Sequence, residues 1–211
     1  MRNRLSASFK KSVKNYQLTA KEISIIRKLD SYSKIQDFID YKLTYHHEDT
    51  CRSFRRVVRD SKANCSEGVF FAAFVSFCHG AKPLIVDLRA TKDDDHLLHV
   101  FRQDGKWGAI AQSNYTGLKW REPVFGSVRE LVLSYVDFYF DLRGRKSLRY
   151  YTKPINLNRY GKAWAISEKD LFFITDKINS YRANRLLTRG QILNLRNTNK
   201  DLKKAGELAM V

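Results

Sequence analysis

Asn64-Cys65-Ser66-Glu67-Gly68-Val69-Phe70-Phe71-Ala72-Ala73, then Asp95-His96-Leu97-Leu98-His99-Val100-Phe101 and the turn Asp104-Gly105-Lys106-Trp107, decide how this chain folds. The first run reads as a cysteine opening an apolar helix that stops at His79-Gly80, where glycine supplies the left-handed C-terminal residue. The second reads as a strand that reverses at Asp104-Gly105, a strong two-residue hairpin signal, and returns from Lys106 to about Gln112. Between them, Pro83 to Leu88 forms a short buried strand. A cysteine in the first turn of a helix meets the positive end of the helix dipole, which favours thiolate. A histidine entering a neighbouring strand can fold back beside it, and a thiol nucleophile with its base needs no more than that pair.

The hairpin also sets an expected register. With Gln103 facing Lys106, His96 falls opposite Ser113 and Asp95 opposite Asn114. His96 and Ser113 then share one face of the sheet. His99, an odd number of residues away, points to the other face.

Outward from this segment, the 211 residues suit one domain with extensions. Thirteen Phe, eleven Tyr and three Trp supply large side chains for a core. The longest apolar stretch, Val69 to Phe77, is too short to cross a bilayer, so no membrane span is expected. Three cysteines (Cys51, Cys65, Cys78) are an odd number without a CxxC pair, which argues against a disulfide framework and for a reducing, cytoplasmic setting. Cys51 and Cys78 read as core residues. The formal charge of +17 favours acidic partners: nucleic acid, anionic lipid or an acidic protein. The excess is uneven. Met1 to Ala20 carries Arg2, Arg4, Lys10, Lys11 and Lys14 and no acid, and Arg143 to Lys204 is basic throughout.

These shifts divide the chain into a basic N-terminal arm (1–19), a core (20–142) and a basic, mainly helical C-terminal extension (143–211). In the arm, Leu5, Phe9, Val13 and Tyr16 recur about once per helical turn, so it carries a weakly amphipathic helical pattern. Thr19 with Glu22 makes a capping box that starts a helix, and a second helix follows from about Ser33. Ser53 to Val58 is a short helix or turn. After the hairpin a long loop, 113–125, leads to a helix over 127–140 capped by Ser127. Arg149 to Ile155 is extended, a helix starts at Ser167, and 186–202 is a basic helical tail.

Other clusters give weaker signals. His46-His47-Glu48-Asp49 lacks the second Cys/His pair of a structural zinc site and reads as a solvated loop, so no metal is expected. Asp93-Asp94-Asp95 reads as a polar loop that offsets positive charge and helps hold His96. No phosphate loop, dinucleotide fingerprint or GxSxG elbow occurs, so no cofactor is expected. Arg149-Tyr150-Tyr151, Arg159-Tyr160 and Tyr181-Arg182 interleave base and aromatic, as single-stranded nucleic-acid binders do. The favoured reading is that these tyrosines pack a helical subdomain, with Arg and Lys on its solvated face.

The Cys-initiated helix, the short strand, and His96 followed by Trp107 of the Asp-Gly-Lys-Trp turn resemble the transglutaminase-like superfamily of papain-fold cysteine enzymes. The likeness covers about Asp60 to Tyr115, and the wider run from Thr50 to Phe125 resembles a bacterial branch of it. The resemblance implies an α+β fold in which the nucleophile helix packs on a small antiparallel sheet, with flanking N- and C-terminal helices. It implies a cysteine-dependent hydrolase or acyltransferase (a protease or amidase among them) acting on an amide or ester carbonyl through a thioester. Cys65 takes the nucleophile role and His96 the base. The family's third member, an Asp about four residues after the turn Trp, is replaced by Ala111. Asn114 is the choice for orienting the imidazole, as amides do in papain-like enzymes. Ser113 and Asp87 are the other candidates. The expected partner is an acidic protein or peptide substrate drawn by the basic flanks, with nucleic acid at the C-terminal region. The alternative is a catalytically inactive basic module binding nucleic acid or an acidic protein.

Overall fold

Most helix starts in this chain follow a capping side chain. The computed structural model of the protein describes residues 6–209 and is a mixed α+β fold. Helix α1 (Ala7–Tyr16) begins at Ser6, whose hydroxyl accepts from Phe9 N, and buries Phe9, Ser12 and Tyr16. The expected basic arm is thus a docked helix, with Leu5 of its stripe outside the described residues. Helix α2 (Ala20–Lys28) has the full Thr19/Glu22 capping box. Helix α3 (Tyr32–Lys42) starts slightly earlier than predicted because Ser31 caps it. Strand β1 (Thr44–Tyr45) pairs parallel with β2 (Lys62–Ala63), bracketing α4 (Phe54–Asp60).

Helix α5 (Cys65–Cys78) is the centre of the molecule, with every residue from Glu67 to Ser76 buried. It is apolar on all sides, as a helix must be when it is enclosed rather than laid on a surface. α1, α3 and α4 pack on it, and so does β4 (below). Tyr16 of α1 sets its ring edge-on to Phe74 and Phe77, and Phe54 of α4 packs on Phe71 and Phe74.

The chain then builds β3 (Leu84–Ala90), β4 (His96–Gln103), β5 (Lys106–Ile110), β6 (Arg121–Phe125), α6 (Val128–Leu133), β7 (Leu148–Thr152), β8 (Ile155–Asn156), α7 (Ala163–Ile166), α8 (Phe172–Asn179), β9 (Ala183–Arg185), α9 (Arg189–Leu193) and α10 (Lys200–Gly206). The main sheet runs β6-β5-β4-β3-β7-β9, with β8 also paired to β3, and its pairings are antiparallel. Asp104 (φ 50°) and Gly105 (φ 78°) both take the left-handed conformation that a type I′ hairpin demands. Gln103 faces Lys106, as the turn predicts.

The hairpin keeps the expected register as far as His99↔Ile110, where pairing of β4 with β5 stops, so the expected pairing of His96 with Ser113 does not form; on its other side His96 lies opposite Leu88 of β3. The cause is Gln36 of α3. Its amide accepts from Ala111 N (3.1 Å) and donates to Ala111 O (3.0 Å), so it stands in for a strand partner and draws the chain off the sheet.

Three further expectations are corrected. The loop over 113–125 contains β6, an edge strand whose alternating burial is masked in sequence by Glu122 and Pro123. The helix predicted over 127–140 is regular only to Leu133, and the one predicted from Ser167 begins at Phe172. The 143–211 segment, expected as a mainly helical extension, is mainly helical in its regular structure and is also part of the sheet. It contributes β7, β8 and β9 to the sheet and buries Leu148, Leu186 and Leu187. Part of its Arg–Tyr interleaving is spent internally: Arg159 lies over the Tyr181 ring and donates to its hydroxyl. Among the described residues no helix is long and apolar enough to cross a membrane.

Candidate functional site

The first turn of α5 is pinned before any chemistry is considered. Asn64 Oδ1 accepts from Glu67 N (3.1 Å) and Glu67 Oε2 accepts from Asn64 N (3.0 Å), a reciprocal capping box. Glu67 is fully buried and also accepts from Thr50 Oγ1 (2.7 Å), Arg52 N (2.8 Å) and His46 Nε2 (2.7 Å). The 46–52 segment is therefore stapled across the start of α5. This corrects the solvated-loop reading of His46, which is buried against Glu67. Asn64-x-x-Glu67 has capping-box spacing, so the cap was detectable in sequence. The long-range partners were not.

Gly68, one turn beyond Cys65, lets a second segment approach. A Cβ there would sit 2.4 Å from Gln112 Cβ, so only glycine allows the 111–114 chain to lie this close to the helix. With the Gln36 clamp on Ala111, this sets Ser113 and Asn114 beside the helix start.

Cys65, His96, Ser113 and Asn114 all line one cavity of about 780 Å³, together with Tyr45, Tyr139 and the Asp93–Asp95 loop. A second cavity of about 370 Å³, lined by Thr50, Cys51 and Phe172 among others, also reaches Cys65. Cys65 retains partial exposure, and the other two cysteines are buried. Asp87 is not at this cavity: it is buried and accepts from Arg89 Nε (2.7 Å).

The orienting group for His96 is none of the three side chains expected. His96 Nε2 lies 3.0 Å from the Leu118 carbonyl oxygen. A carbonyl only accepts, so Nε2 carries the proton and Nδ1 keeps its lone pair. Ser113 Oγ instead accepts from Tyr115 N (3.0 Å), closing a local turn. A backbone carbonyl has no residue signature, so no sequence motif could have revealed it.

The electrostatics correct a further expectation. The N–H groups of Ser66 and Cys65 itself do favour a thiolate, as the helix start implies. Burial outweighs them, the carboxylates of Asp94 and Glu67 act in the same direction as burial, and the Cys65 thiol is pushed up to about 11. Burial likewise lowers His96 to about 4, with the Leu118 carbonyl opposing and Arg121 assisting. With these shifts the Cys65 thiol and the His96 imidazole are each neutral near pH 7. Cys51 and Cys78 are pushed by burial to about 12.

Among the described residues no group of three or more His, Cys, Asp or Glu side chains is arranged to hold a metal ion. The cavity thus brings Cys65 at the start of α5 and the His96 ring into one lining. A scan against models of known protein families finds no match for this chain, and a search of curated protein sequences finds none either.

Proposed function

We propose that the protein is a cysteine-dependent hydrolase or acyltransferase of transglutaminase-like type. The observation that carries this reading is that Cys65 and His96, on different elements, open into the same cavity while Leu118 O fixes the tautomer that leaves Nδ1 basic. Because both groups rest neutral, His96 acts as a general base during attack. The Cys65 sulfur bonds to the substrate carbonyl carbon as its proton passes to His96 Nδ1. The N–H groups of Cys65 and Ser66, which have no carbonyl acceptor within the helix, stabilise the negative oxygen. The intermediate collapses, the amine or alcohol leaves with the proton from His96, and water or an amine then releases the acyl group from sulfur.

The test is acylation by a p-nitrophenyl ester, with the thioester located by mass spectrometry after acid quenching. Wild-type protein is expected to acylate at Cys65, and His96→Ala to slow this by about 100-fold or more. The base must be unprotonated, so the rate rises with pH through about 4 and is then flat until thiol ionisation near 11. Acylation of His96→Ala at the wild-type rate, or equal labelling of Cys51 and Cys78, refutes the proposal.

A second reading, a basic module without catalysis, is favoured by the +17 charge and by the neutral resting thiol. It requires oligonucleotide binding that weakens with salt and survives Cys65→Ala unchanged.

A further inference from the structure

A different surface, sharing no lining residue with the Cys65 cavity, carries a separate inference. Helices α2 and α3 enclose a groove of about 630 Å³. Its floor is apolar: Ile25, Phe38, Leu43 and Val58. Its rim is cationic: Lys21 and Lys28 on α2, and Lys34 and Lys42 on α3, with Asp37 the sole lining acid. The spacing is deliberate in helical terms. Lys21, Ile25 and Lys28 recur at i, i+4 and i+7, and Lys34, Phe38 and Lys42 at i, i+4 and i+8, so each helix turns a charge–apolar–charge stripe to the groove. Among the described residues, Lys21, Lys28 and Lys42 pair with no carboxylate, while Lys34 is bound to Asp30 (2.7 Å). Tyr41, on the same face of α3, is 78% exposed at the groove edge.

We propose that this groove docks an amphipathic helix of a partner protein whose apolar stripe is flanked by Asp and Glu. Charge complementarity selects the occupant. A second copy of this chain brings a net charge of +17 to a lysine rim, and the chain's own basic termini meet the same repulsion. An apolar floor between two helices suits a third helix laid into it, the helix-in-groove mode. Lys21 to Lys28 spans ~10 Å of α2, enough to contact about two turns of the incoming helix. A nucleic-acid backbone would satisfy the rim but leave the floor unfilled, and a bilayer would need an apolar surface that projects.

The experiment is fluorescence anisotropy with a labelled synthetic helix bearing Leu at i, i+3, i+4 and i+7 and Glu elsewhere. A scrambled peptide of the same composition is the control. Wild-type protein is expected to prefer the patterned peptide, with affinity falling as salt rises. Lys21→Glu/Lys28→Glu/Lys42→Glu, confirmed folded by its thermal melt, is expected to bind about tenfold or more weakly. Tyr41→Ser, a change at an exposed position, is expected to weaken binding without touching charge. Cys65→Ala is expected to bind as wild type, which separates this inference from the catalytic proposal. Equal binding of the scrambled peptide, unchanged affinity in the lysine variant, or binding of a poly-dT oligonucleotide or phosphatidylserine vesicles in place of the peptide overturns it.

Discussion

His99 shows how one buried side chain governs the molecule's response to acid. Its Nδ1 donates to Leu84 O (2.9 Å), so its Nε2 must accept, and it does so from Ser76 Oγ (2.9 Å) on α5. Both nitrogens are used; protonation would reverse the bond to Ser76, whose hydroxyl would then accept, and would place a charged ring in the core. Burial lowers His99 to about 4, as it does His96. Since the folded values lie below the unfolded value of about 6.5, the unfolded chain binds more protons between those limits. Stability is therefore fully present above pH 6.5 and is lost as pH falls towards 4, by about 3 kcal/mol for each histidine. Asp87 and Asp95, whose carboxyls burial pushes up, act in the opposite sense. Urea midpoints at pH 7 and pH 5 are expected to differ clearly in wild type and by less in His99→Gln. An equal loss in both would show that His99 does not couple the fold to protons. The opposed directions of His96 and His99 could be read from their spacing, and so could the terminal position of Cys65 on its helix. The protonation states could not, because burial, which dominates both Cys65 and His96, is set by residues remote in sequence.

At the scale of elements, α5, β4 and the hairpin were legible because apolar content, a glycine stop and an Asp-Gly turn are local signals. β6 and the end of β5 were hidden because they depend on contacts across the fold. Gln36 illustrates why: in sequence it is one polar residue in an amphipathic helix, yet it is buried and forms both hydrogen bonds to Ala111. Gln36→Leu keeps the volume and strands two backbone groups inside the protein. The expected loss is about 3 kcal/mol, read as a lower denaturant midpoint. A change below ~1 kcal/mol would mean that the 111–114 segment finds other partners. The same substitution is expected to shift Ser113 and Asn114 relative to Cys65, since Gly68 permits their approach but does not enforce it.

Across the whole molecule, the sheet joins parts of the chain that composition separates. The basic C-terminal third reads as an extension because its charge differs from the middle, but charge reports on solvent and partners and not on pairing. β7 lies directly on β3, β9 closes the edge beyond it, and Leu186 N donates to Arg149 O (2.9 Å). Truncation after Arg182 removes β9 and the buried Leu186 and Leu187, a loss of about 4 kcal/mol in apolar burial alone. Residues 1–182 are expected to lose the cooperative thermal transition; a sharp melt near the wild-type temperature would show that the rest folds without β9.

The opposite margin of the sheet ends in β6, with Pro123 in its middle. Proline lacks an amide hydrogen, so this rim cannot serve as an unbroken template for a strand from another molecule. Crowded copies are thereby denied a way to zip together into fibrils along that border, and on the other side the outer strands β8 and β9 are only two and three residues long.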